Sequence, residues 1–204
     1  MTPGYAFWQD RFGREVCRCL QTDSGFRSCH IAELASHDMS NHLTGVDSVF
    51  VFGRQRFAYP DTLRIICDSG IEGVLVDLNG RDLLIGPRLT SDGPCLSCCS
   101  RRYLGAPGDP VRLGWEVEVA RGLASGAVVS EAGFDRTIVA LASALCLHHL
   151  ESRPSGAYVR LNLLTQDIRT GVAISCDDCT CGGTSLNIAS DLAIITELLK
   201  GEAS

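Results

Sequence analysis

Two close cysteine pairs carry the chemistry that is easiest to read in this chain: Cys95-Leu96-Ser97-Cys98 and Cys176-Asp177-Asp178-Cys179. Two C-x-x-C pairs separated by most of a domain have the spacing of a tetrahedral thiolate site, because two intervening residues let one tight turn aim both sulfurs at one ion. Zinc suits four thiolates, being soft enough and imposing no d-electron geometry. Gly93-Pro94 introduces the first pair as a turn, and Gly182-Gly183 follows the second and lets backbone fold close to sulfur. The second knuckle holds a third thiol, Cys181. Cys179 is the firm ligand there. Cys176 gives C-x-x-C spacing and Cys181 gives C-x-C, and spacing leaves that choice open. The competing explanation, paired disulfides or free core thiols, fits less well. A closed four-thiolate site leaves no position for water or substrate, so the expected zinc is structural.

Other reactive groups are weaker candidates. Cys67, Cys99 and Cys146 are not needed for metal, and a nucleophilic cysteine needs an electropositive, partly exposed setting. Cys99, expected to point away from the metal, comes nearest because Arg101 and Arg102 follow it. A packed thiol is the commoner state. Arg101, Arg102 and Tyr103 have the donors to hold a carboxylate or acidic peptide, or form a solvated turn. His148 and His149 are adjacent in a predicted helix and so face different sides, with at least one solvated. His30, His37 and His42 are scattered. No Gly-x-Ser-x-Gly elbow is present.

The bulk composition narrows the classes. A chain of 204 residues builds one compact domain or two small ones. A net charge of −6 argues against binding driven by phosphate neutralisation, and so against a nucleic-acid partner. No apolar run reaches the roughly 18 residues of a membrane span. The N-terminus lacks the basic stretch and apolar core of a signal peptide. Eleven cysteines, an odd number, fit a reducing, cytoplasmic location with bound metal better than a secreted disulfide framework. Lys200 is the single lysine.

The elements that must position these groups read as an α/β layer. A helix is expected over 8–21, from Phe12, Val16, Cys19 and Leu20 at helical spacing. Short strands follow at 26–31 and 46–52, the latter apolar, β-branched and closed by Gly53. A helix over 60–69 opens at Pro60 and stops at Gly70. Residues 73–78 and 82–86 form strands joined by Asn79-Gly80, a strong hairpin pair. Residues 134–150 make a second long helix with Ile138, Leu141, Ala142, Leu145 and Leu150 on its apolar face. Strands at 157–164 and 168–174 form a C-terminal hairpin that delivers Cys176, and their exposed edges could accept an extended peptide by strand addition. A short helix is expected over 191–199, with Ser190 as N-cap.

From about residue 45 to 183 the chain resembles a known pattern. Ile85-Gly86-Pro87, a short loop, then Pro94-Cys95-Leu96-x-Cys98 with Arg101 or Arg102, then a helix, a strand pair and a second cysteine cluster, resemble the ThiF-type, ubiquitin-activating-enzyme-like partners of YcaO cyclodehydratases. These proteins work in azoline-forming ribosomal peptide pathways. The resemblance implies a degenerate Rossmann-like (ThiF-like) α/β sheet with a tetrathiolate zinc site and an antiparallel C-terminal hairpin. It implies one domain over 1–204, with 1–90 a degenerate nucleotide-fold half and 91–204 a zinc-stapled half.

The departures bear on activity. A working adenylating member carries Gly-x-Gly-x-x-Gly after its first strand, where backbone N–H groups and a helix N-terminus meet phosphate. This chain has no such motif. Phe12-Gly13-Arg14 is a candidate remnant, although no clear strand precedes it in the sequence. Lys200 is in the wrong place for the family's lysine, and the usual N-terminal winged-helix peptide clamp has no counterpart. The resemblance therefore implies a non-catalytic accessory protein without ATP, which binds a precursor peptide, a modifying enzyme, or a second copy as a homodimer. The rival readings are a divergent adenylating or cysteine-dependent peptide-modifying enzyme, and a zinc-stabilised subunit that binds only its protein partner.

Overall fold

The computed structural model describes residues 4–31, 43–53, 66, 69–79, 82–95, 98–99, 133–176 and 179. They build one seven-stranded mixed sheet with two long helices packed together on one face. The elements in chain order are β1 (Gly4–Trp8), α1 (Arg11–Ser24), β2 (Arg27–His30), β3 (Ser48–Phe52), β4 (Glu72–Asn79), β5 (Asp82–Leu89), α2 (Arg136–Ser152), β6 (Ala157–Asn162) and β7 (Ile168–Val172). The strand order is β2-β1-β3-β4-β5-β6-β7. β2, β1, β3 and β4 run parallel, and β5, β6 and β7 continue the sheet antiparallel. This mixed α/β sheet fits the Rossmann-like class, and the antiparallel hairpin lies where the sequence places it.

The five residues of β3 are all buried, and their period of two splits them between two cores. Phe50 and Phe52 join Ala6, Val74 and Val76 beneath α1 and α2. Val49 and Val51 join Tyr5, Phe7, Leu75 and Ile66 on the opposite face. Such two-sided burial explains why β3 reads as an unbroken apolar run.

Two assignments shift. Residues 4–8 are a strand, so α1 begins at Arg11 rather than at residue 8. Asp10 sets the boundary: its backbone is extended and its carboxylate accepts the Gly13 N–H at 2.7 Å, an N-cap. Gly25, at φ 69°, closes the helix. Cys17 rather than Cys19 takes the buried position on α1. On α2 the core face is Val139, Ala142, Ser143, Cys146 and His149, while Leu141 is exposed. The helices expected over 60–69 and 191–199 lie outside the described residues, apart from the buried, helical Ile66 and Ser69 in a turn.

Candidate metal centre

Strand direction brings the two cysteine knuckles together. β5 and β7 both pair antiparallel with β6, so they run the same way and leave the sheet at the same end. The chain after β5 leads to Cys95, and the chain after β7 leads to Cys176. Between them lies the entry to β6, where Gly156 donates its N–H to the Arg88 carbonyl at 2.7 Å and accepts from Ala173 N–H at 2.8 Å. Gly156 sits at φ 76°, and a Cβ there would run into the Ala173 carbonyl oxygen and the Pro94 ring. Glycine thus lets the first knuckle pack directly on the hairpin that carries the second. A Thr90 Oγ1 to Ser155 Oγ hydrogen bond at 2.7 Å adds a tie. Gly86, at φ 104°, lies where β5 stops pairing with β6, and a side chain there would strike Ala157 and Tyr158. The Gly86–Pro87 peptide is cis.

Three of the sulfurs named from the sequence converge. Cys95 Sγ lies 3.7 Å from Cys98 Sγ and 3.6 Å from Cys179 Sγ. All three lie within 4.8 Å of one another. Four thiolates about 2.3 Å from a tetrahedral zinc stand about 3.8 Å apart, so this spacing fits that ion. Cys98 is buried and the other two are half-buried. Cys176 supplies its backbone N–H to Cys98 Sγ at 3.2 Å, and its own sulfur is not in the group. Its carbonyl accepts the Cys179 N–H at 3.0 Å, which closes the turn of the second knuckle. Cys181 lies outside the described residues. Cys99 is buried outside the cluster, its sulfur 3.8 Å from the Pro94 carbonyl. The nine described cysteines are free thiols, so paired disulfides do not account for these pairs.

The remaining candidates separate by environment. Cys146 is fully buried, and burial pushes its thiol well up, which removes it as a thiolate nucleophile at neutral pH. Burial pushes Cys17 up likewise. His148 is exposed and His149 buried, as two neighbours on one helix must be. His149 Nε2 lies 3.1 Å from the Ala157 carbonyl, and burial lowers its pKa to about 4. Its role is to tie α2 to the entry of β6. Cys67, Arg101, Arg102, His37 and His42 lie outside the described residues.

At the other end of the sheet, the chain makes its first strand-to-helix turn. β1 is the strand that the sequence did not reveal ahead of Gly13. β2 and β3 flank β1 on opposite sides, so β1 and β3 form the topological switch point where open α/β sheets hold ligands. In Gly-x-Gly-x-x-Gly spacing ending at Gly13, the first two glycine positions are Trp8 and Asp10. Gly13 keeps the packing role of the last glycine: a Cβ there would lie 2.5 Å from Phe52 Cβ. Asp10 reverses the chemistry. Its carboxylate occupies the helix N-terminus and takes the Gly13 N–H that would otherwise face a phosphate.

No family model matches the sequence, and no curated protein matches it. Solved structures do. A heterocyclase in complex with substrate and cofactor superposes with a TM-score of 0.55 at 14% identity, covering 89% of this chain and 25% of that one. The E. coli microcin synthetase McbBCD complex gives 0.57 at 14%, covering 88% and 68%. E. coli MccB with ATP gives 0.57 at 11%, covering 90% and 67%. The fold is the one these proteins share. The resemblance read from the pattern around Cys95 is borne out at the level of fold by these heterocyclase, microcin synthetase and MccB chains. The chain spans about a quarter of the heterocyclase's length.

Proposed function

We propose that this chain is a non-catalytic accessory protein of azoline-forming ribosomal peptide biosynthesis, binding a precursor peptide, a modifying enzyme such as a YcaO cyclodehydratase, or both. The observation that carries the reading is a ThiF-like fold with Asp10 where a nucleotide-binding turn would present glycine and open N–H groups. A fixed carboxylate at that helix N-terminus repels phosphate, so ATP is not a cofactor here.

One zinc, held by Cys95, Cys98 and Cys179, would supply structural cross-linking and no reaction step. Cys181 is the fourth ligand in this reading. Cys176 already spends its backbone N–H on Cys98 Sγ while its sulfur stays outside the group. Such N–H groups stabilise thiolate charge, as outer-shell donors do in other metal sites. In this reading residues 1–90 supply the vestigial nucleotide fold and 91–204 the half held by metal. Among the described residues no helix is long and apolar enough to cross a membrane. The reading places the protein in the cytoplasm, where reduced thiols are available to metal.

The test is reconstitution with a cyclodehydratase and its precursor peptide, following loss of water by mass spectrometry. The reading expects azoline formation to depend on this chain, while the chain alone catalyses no ATP–pyrophosphate exchange. Exchange by the isolated chain would establish the adenylating alternative instead.

A further inference from the structure

Both long helices end at the side of the sheet where the parallel strands begin, and a cleft of about 600 Å³ lies between those ends. That volume is within the range of small-ligand pockets. Its walls are Phe26, just after the close of α1, and Leu147 and Leu150 from the C-terminal turns of α2. The Phe26 ring occupies the space that a side chain on Gly4 would need, and Gly4 pairs with Ser48 across β1 and β3. Ser48 forms the floor, on the same face of β3 as Phe50 and Phe52. It is 5% exposed, and its hydroxyl has no hydrogen-bond partner among the described residues. A buried hydroxyl left in that state calls for a partner from outside the chain.

The charge around the cleft is one-sided. Asp47, Glu72 and Glu151 line it, and no lysine, arginine or histidine does. Arg88 neutralises Glu72 at 2.7 Å. Asp47 and Glu151 are exposed and meet no cation among the described residues. The two helix C-termini add partial negative charge. The last turn of α1 holds no basic residue, and that of α2 holds only His149, which is buried against the Ala157 carbonyl.

We propose that this cleft is a binding site for an organic cation, an ammonium or guanidinium group carried on an apolar stem. The stem packs between Phe26, Leu147 and Leu150, and the Phe26 ring gives the cation a π face. The charged group meets Asp47 and Glu151 at the mouth, and Ser48 Oγ accepts an N–H at the floor. The apolar walls argue against a bare metal ion, which needs a shell of oxygen ligands. The carboxylates and helix ends argue against a phosphate or a carboxylate ligand. The cation can arrive as a free amine or as a basic side chain of a peptide, and the recognition chemistry is the same for both. The site shares no residue with the cysteine cluster or the Asp10 turn, and the proposal does not rest on the pathway reading.

Amide NMR titration of the full chain tests it with two pairs of probes. Hexylammonium is compared with hexanol, and acetyl-leucyl-arginine amide with its neutral citrulline analogue. The expected result is that at least one cation shifts the signals of residues 46–48, 70–72 and 147–151, at least tenfold more tightly than its neutral counterpart. Which cation does so identifies the source: a free amine in the first case, a peptide side chain in the second. Asp47→Asn combined with Glu151→Gln should abolish the preference for charge while leaving the melting temperature unchanged, since both residues are exposed. Ser48→Ala should weaken the cation severalfold. If neither cation binds, or if the neutral probes bind as tightly in the wild-type chain, the proposal is overturned. A preference that survives the double substitution also overturns it.

Discussion

Asp10 and Cys95 lie at opposite ends of the sheet, and each can be tested by one substitution. Asp10→Ala removes the cap of α1 and should cost about 1 kcal/mol in a denaturant titration. Cys95→Ser removes a metal ligand whose binding free energy is folding free energy, so metal content and melting temperature should fall together. If both stay at the wild-type value, there is no thiolate site. Comparing Cys181→Ser with Cys176→Ser resolves the fourth ligand: the first should lose zinc, and the second should keep it with a modest loss of stability. Asp82, 4% exposed, accepts from Arg160 at 2.8 Å and from Asn162 at 3.2 Å, joining β5 to β6. Arg160 is partly exposed, so Asp82→Ala should cost about 1–3 kcal/mol. The sequence placed Arg160 and Asn162 on one face but gave no hint of their acceptor, which comes from a strand 78 residues away.

At the scale of elements, α2 is pinned to the entry of β6 by a neutral histidine. Burial lowers the His149 pKa to about 4 from the ordinary 6.5, with Arg153 and Arg88 adding to the shift. A base that is harder to protonate folded than unfolded contributes fully above pH 6.5. Its contribution falls as pH drops from about 6.5 towards 4, by at most about 1.4 kcal/mol per pH unit. The wild type should therefore lose stability over that window, and a His149→Gln variant should show a flatter profile; parallel profiles would assign the acid sensitivity elsewhere. The same helix illustrates what was legible in the sequence. Its length and end follow from Pro154 and the apolar content, and four of the five residues expected on its apolar face, Ile138, Ala142, Leu145 and Leu150, do pack against the core. Val139, Cys146 and His149 pack inward while Leu141 faces out, because contact with α1 decides the rotation and hydropathy does not. β3 to β7 were readable as apolar or alternating runs with turn residues between them. β1 was hidden, since Gly4-Tyr5-Ala6-Phe7-Trp8 merges with the helical pattern that follows and only Asp10 marks the break. For the metal site, the two knuckles were plain in the sequence. Their meeting depends on β5 and β7 leaving the same end of the sheet, which only the topology reveals.

At the scale of the molecule, a Rossmann-like sheet carries a cysteine cluster at the end where its parallel strands begin. The Asp10-capped turn from β1 into α1 lies at the end where they finish. A metal so placed cannot reach a ligand in the crevice between β1 and β3, which supports an architectural role. Native mass spectrometry of the purified chain, with and without ATP and magnesium, tests this account most directly. It predicts one zinc per chain and no nucleotide under either condition. A chain that binds ATP, or that carries no metal when purified under reducing conditions, would contradict it.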